Sequence, residues 1–160
     1  MDRDTLIKSL SLGPDLLDGF LALCDERDID LVRGKDLWTI RDHTVHLALV
    51  QPMLFGRMEQ FHDERHPTMK PYLPDDEEGG QRDGMGIEDA SRQFRHWREC
   101  QVELLDSLDE AIWSRVGTHP EYNKYSLDIL AAHTYFHDGF HLYRMEEMAF
   151  TKASSFTTLP

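Results

Sequence analysis

Apolar residues return every three to four positions over four long stretches of this chain, which is the period of a helix with one buried face. A short amphipathic piece, Arg3 to Leu10, comes first and ends at Ser11, Leu12, Gly13 and Pro14. Proline suits the opening turn of a helix, and Leu16, Leu17, Phe20, Leu21 and Cys24 then carry the period to about Glu26. From Arg27 to Trp38 the pattern lapses around Gly34, so a connecting loop is expected there. Thr39 and Asp42 have the spacing of a capping box, which opens a second helix. His43, His46, Leu47, Val50, Met53, Leu54, Met58 and Phe61 form its stripe as far as about His62. Pro52 removes one backbone hydrogen bond inside it and predicts a bend. A third helix runs from Ile87 to about Leu108, with Ala90, Phe94, Trp97, Gln101, Leu104 and Leu105 in phase, and a brief turn follows at Ile112 and Trp113. The fourth spans Tyr125 to Met148, with Ser126 as its cap, Asp128 in its first turn, and Leu130, Thr134, Met145 and Met148 on the inner stripe. No segment shows the alternation of a strand. The expected fold is all-α, a four-helix bundle with its long connection between the second and third helices.

That connection, residues 63–86, gathers Pro67, Pro71, Pro74, the acidic tract Asp75 to Glu78, and Gly79, Gly80, Gly84 and Gly86. It reads as a solvated crossover, with a functional lid as the alternative. Beyond Met148 the period is lost, and about 150–160 should form a loose tail. A length of 160 residues suits one domain, 1–160, large enough to bury a core.

Charge narrows the choice of partners. Seventeen Lys and Arg face thirty Asp and Glu, a formal net charge of −13, and no basic stripe appears. Such a surface repels phosphate backbones, which argues against nucleic acid, though it could dock a basic partner. No apolar run approaches the roughly 18 residues of a membrane span, and the N-terminus lacks a signal-peptide core, so a soluble cytoplasmic protein is expected. Cys24 and Cys100, far apart and each within a helical pattern, read as small hydrophobes and not as a disulfide.

Nine histidines are present, and four fall in pairs at helical spacing: His43 with His46, and His137 with His141. Side chains four apart share a helix face, so His137 and His141 can reach one ion. They lie on an apolar stripe, where an unpartnered imidazole costs about 1 to 3 kcal/mol, and a bound metal removes that cost. Bundles build metal sites from facing helices, and His46 on the second helix is the candidate third ligand. Three imidazoles and no fourth ligand describe an open site of the catalytic kind, since structural zinc is closed by four. Imidazole also suits nickel, copper and ferrous iron.

The competing reading is plain: an H-x-x-x-H pair also occurs in helices that bind nothing, its histidines simply packed. His133 continues the series, but 3.6 residues per turn rotates it about 80° from His141, which favours orienting or packing. His43 reads as helix-end or surface, His119 as a packed loop residue, and Asp42 as a cap instead of a carboxylate orienting His46. Asp138 points away from His137. The tract Asp75 to Glu78 reads as solvated and not as a calcium site. No general base is identifiable, so the catalytic residues stay unassigned.

Two separated motifs carry a family resemblance. The segment "LWTIRDHTVHLA" resembles a pattern in which Trp-Ser/Thr opens a helix and a histidine follows eight residues after the Trp. The segment "THPEYNKYSLDILAAHTYFHDGFHLYRME" is similar to a His-Pro turn followed by a helix closing on His-Asp-x-x-His-Leu-x-Gln. Together they resemble the DinB/YfiT superfamily of metal-dependent four-helix-bundle proteins over nearly the whole chain. The resemblance implies metal ligands at His46, His137 and His141, with zinc or nickel the usual ion and iron or manganese as further options. It implies a bundle that often dimerises, and an activity among thiol-dependent S-transferases, which use low-molecular-weight thiols, or hydrolases. The chain departs from the pattern at Arg144, where glutamine is frequent, and at Phe140, where some members carry histidine. The rival reading is a structural or binding module in which an ion, or hydrogen bonding alone, locks the second helix to the fourth.

Overall fold

The computed structural model describes residues 2–35, 37–72 and 84–152. Helices α1 (Arg3–Ser11) and α2 (Gly13–Leu21) are followed by a short α3 (Glu26–Ile29). The long α4 (Ile40–Asp63) and α5 (Ile87–Ser107) come next, then a single turn α6 (Glu110–Trp113), and finally α7 (Leu127–Phe150). Helix α4 packs along α5 and α7, while α1 and α2 together lie against the same two helices. The result is a four-helix bundle whose first member is in two pieces, joined where Pro14 falls in the first turn of α2.

The local signals in the sequence act as read at α4. Thr39 accepts from the Asp42 amide, and the Asp42 carboxylate accepts from the Thr39 amide at 2.8 Å. Two orphan donors are thereby satisfied. Pro52 sits inside the continuous helix. Elsewhere tertiary contacts moved the boundaries. Helix α2 stops at Leu21, short of Glu26, because the amides of Leu23 and Cys24 turn to the carbonyls three residues back, Phe20 and Leu21. The stretch expected to be loop contains α3, and Leu16 faces solvent. Cys24 and Cys100 are half-buried free thiols, and burial, assisted by Asp28, pushes the Cys24 thiol up.

A second correction concerns strands. Val116–Gly117 (β1) pairs antiparallel with Tyr125–Ser126 (β2), and Thr68 bridges to Thr118. Two-residue strands are too short for alternation to show in a sequence. Helix α7 therefore begins at Leu127, and the Ser126 hydroxyl bonds the Asp128 carboxylate in place of a helix amide. Gly117 is required here: a Cβ would lie 2.8 Å from the Pro67 carbonyl and 3.1 Å from the Phe61 ring. The acidic tract 75–78 and the tail from 153 lie outside the described residues.

Apolar side chains form two clusters. One includes Leu10, Leu54, Phe61, Leu105 and Leu130, and the other Leu17, Ile40, Leu47, Phe94 and Met145. Along α4, α5 and α7 the residues between the clusters are polar and buried: Gln51, Arg98, Gln101 and Asp138. Arg98, 1% exposed, donates from Nη1 to Asp138 Oδ2 at 2.6 Å, from Nε to Gln101 Oε1 at 2.9 Å and from Nη2 to Gln51 Oε1 at 3.2 Å. A charged tie of this kind joins three helices at the level where the histidines sit.

Candidate metal centre

Successive residues of a helix point about 100° apart, so α7 can turn His137 and Asp138 to different neighbours. Asp138 meets Arg98 of α5. His137 and His141 meet α4, where His46 is waiting one turn inside the capping box. His137 Nε2 lies 3.1 Å from His46 Nε2 and 3.2 Å from His141 Nε2. The ligand atoms of the three residues all fall within 4.8 Å of one another. Two metal–nitrogen bonds of about 2.0 to 2.1 Å at a tetrahedral angle place their nitrogens about 3.3 Å apart, so the spacing fits a shared ion. All three expected ligands are brought together.

His141 is buried, and it is held neutral: burial first, then the neighbouring His137, His46 and His43, push its imidazole far below the usual histidine range. A neutral imidazole offers the lone pair a metal needs. His43 was expected at the helix end or surface and is instead buried, with Nδ1 2.7 Å from His141 Nδ1. One of the two nitrogens must donate. If His141 donates from Nδ1, its Nε2 is left as the acceptor facing the other two rings, which is how outer-layer partners fix a ligand's tautomer. Trp38, just before the cap, closes this side, stacking on His141 at 5.9 Å between ring centroids and standing 5.0 Å from His46. Asp42 is engaged in the capping box, as read.

The other side of the site is open. A cavity of about 200 Å³ begins at His46 and His137 and continues along α4 past Val50 to Arg57, bounded opposite by Tyr122 and His133. His119 is packed as expected, its ring 4.8 Å from those of Tyr122 and Tyr125, yet it also lines this cavity. Its Nδ1 accepts from the Glu121 amide at 3.2 Å. His133 meets the Tyr122 hydroxyl at 3.1 Å, and its ring stands 5.9 Å from that of His137. Burial, reinforced by the Arg57 charge, pushes both His119 and His133 below the usual histidine range. A larger groove of about 510 Å³, whose lining includes Leu21, Cys24, Ile29, Ile87 and Arg95, brings no comparable set of ligand atoms together among the described residues. Arg144, at the position where glutamine is frequent, is buried one turn beyond His141 and paired with Glu147 at 2.6 Å.

His43 shares a face with His46, and that was its only signal in the sequence. Arg57 and Tyr122 gave none, because the cavity they line exists only once the loop 117–126 is pinned by β1 and β2.

The sequence profile of the DinB superfamily matches residues 9–145. A solved structure, YfiT from Bacillus subtilis, described as a probable metal-dependent hydrolase with an unusual four-helix bundle topology, superposes with a TM-score of 0.80. The two share 19% sequence identity, and the match covers 91% of this chain and 85% of that one. At that identity the likeness bears on the fold. No curated protein matches the chain.

Proposed function

This chain belongs to the DinB superfamily, and from that footing we propose that it is a divalent-metal enzyme whose ion is held by His46, His137 and His141. The observation that carries the reading is the convergence of three Nε2 atoms, two pairs at 3.1 and 3.2 Å, at the inner end of a cavity. A divalent ion at that point would supply a Lewis acid that lowers the pKa of a water or thiol bound to it. An all-imidazole set suits zinc, nickel, copper and ferrous iron, and the family resemblance favours zinc or nickel, with iron or manganese as further options.

The chain's own residues do the rest. His43 holds His141 in register, Trp38 keeps water from the buried flank, and the half-buried His137 faces the cavity through which a small substrate enters. The description of YfiT as a probable metal-dependent hydrolase supports hydrolysis, and transfer to a low-molecular-weight thiol is the related alternative. A purely structural ion is the rival, and the cavity at His46 and His137 counts against it, because structural zinc sites are closed.

The test begins with protein purified without a polyhistidine tag and analysed for bound metal. About one divalent ion per chain is expected in the wild type, and almost none in the His137→Ala, His141→Ala double variant. Metal-free wild type, or a double variant that binds as much, overturns the reading. Turnover on ester, amide and thiol-transfer panels that disappears in chelator and returns with metal supports an enzyme. No turnover, with a large chelator-induced drop in melting temperature, establishes the structural rival.

A further inference from the structure

The cavity also has a chemical character that the histidines alone do not explain. Positions 46, 50, 54 and 57 fall on one face of α4 and line its long wall. Eleven residues at 1.5 Å of rise separate the Cα atoms of His46 and Arg57 by about 16 Å. The chamber between them is therefore elongated, with the histidines at one end and a guanidinium at the other. Its middle is apolar, made by Val50 and Leu54.

The Arg57 end is a place for an anion. Arg57 donates from one Nη2 to the Lys70 carbonyl at 2.6 Å, which fixes its side chain while a guanidinium keeps four further N–H groups. Burial first and then the Arg57 charge push His119 and His133 below the usual histidine range, while at Tyr125 the same charge opposes the burial that raises the hydroxyl. His119 accepts at Nδ1 from the Glu121 amide, so the neutral ring carries its proton on Nε2 as a second donor. The Tyr125 hydroxyl is buried beside these groups and faces the Arg57 guanidinium. Glu121 is the opposing charge, but its residue is exposed at the rim, and its effect on His119 ranks below burial and Arg57. In a chain of net charge −13, a cavity whose inner field is positive selects its contents.

The geometry points to a substrate that is a small, elongated organic acid: its carboxylate is bound by Arg57, with His119 as a second donor, and its reacting group reaches His46, His137 and His141 across the apolar middle. This rests on the metal-site reading above and adds the class of molecule that site acts on. The carboxylate can belong to the molecule cleaved or to a thiol that joins it, since both present the same group to Arg57. Planar, forked recognition of a carboxylate is what arginine provides and lysine does not.

The experiment uses the full chain loaded with metal, with the metal-to-protein ratio measured first for wild type and Arg57→Gln. Calorimetric titration then compares adipate with adipamide, its uncharged counterpart. Adipate should bind at least tenfold more tightly than adipamide, and Arg57→Gln should remove that preference while leaving the metal content unchanged. Arg57→Lys should restore only part of it. In a second arm, 3-mercaptopropionate is compared with 2-mercaptoethanol; a tenfold preference lost in Arg57→Gln assigns the carboxylate to the thiol, and a preference confined to adipate assigns it to the other substrate. Equal binding of adipate and adipamide together with equal binding of the two thiols overturns the inference, as does a preference that survives in Arg57→Gln. If instead no metal is bound but adipate still binds through Arg57, the metal reading has failed while the anion site stands.

Discussion

Replacing Arg98 by methionine tests the buried polar layer that sets the level of the histidines. Methionine keeps most of the volume and removes the cation. The loss leaves Asp138, 5% exposed, without its ion pair at 2.6 Å, and its Oδ1 already has no hydrogen-bond partner among the described residues. Gln51 and Gln101 also lose a donor each. Removing one member of a buried pair costs about 3 to 5 kcal/mol, and in a domain of this size about 1 kcal/mol moves the melting temperature by 2 to 4 °C. A fall of about 6 to 20 °C is therefore expected for Arg98→Met. The assay is urea and thermal unfolding of chelator-treated protein followed by circular dichroism, so that metal loss does not enter. Pairing Arg98→Met with Asp138→Leu should recover at least about 2 kcal/mol of the summed single costs, because contacting residues are not additive. Burial pushes the Asp138 carboxyl above its ordinary range against the pull of Arg98. Without Arg98 that rise is unopposed, so the folded variant takes up a proton that the unfolded chain does not. Its deficit relative to wild type should shrink as pH falls from about 8 to about 5. A single variant within about 1 kcal/mol of wild type, or a strictly additive double, would show that the pair carries no such energy.

Three further outcomes follow from particular contacts. His43→Ala should leave about one metal per chain but weaken metal affinity about 10- to 100-fold, the usual effect of losing a ligand's outer partner; competition with a chromophoric chelator reads it, and unchanged affinity removes His43 from its role toward His141. Gly117→Ala should destabilise by about 1 to 3 kcal/mol, since its Cβ would press on the Pro67 carbonyl and the Phe61 ring; unfolding within error of wild type contradicts that. In metal-free protein the folded state holds His119, His133 and His141 below the usual histidine range, chiefly by burial. The unfolded chain then binds more protons below about pH 6.5, so stability is full above that pH and falls beneath it; a melting temperature that is flat or rising between about pH 7.5 and 5.5 is the contrary result.

How much of this was legible in the chain depended on whether the signal was local. The capping box at Thr39 and Asp42, the stripe of α4 and the i, i+4 pair His137 and His141 are set by helix geometry, which a sequence states directly. His43 was misplaced because a first-turn residue is ordinarily wet, and what buries it comes from outside α4: Trp38 on the approach and His141 from α7. Arg98 was unreadable for a related reason. Its position among apolar residues of α5 is a liability until Asp138 is placed opposite, and nothing within either helix announces the other. The same logic governs the cavity. Its histidine end was visible as spacing, while Arg57 and His119 acquire a shared purpose only after two-residue strands, too short to pattern, fold the loop between β1 and β2 over α4. The proposed ligands therefore belong to helical periodicity and the proposed selectivity to tertiary closure, so substitutions in β1 or β2 should alter which molecules are accepted before they alter whether metal is held.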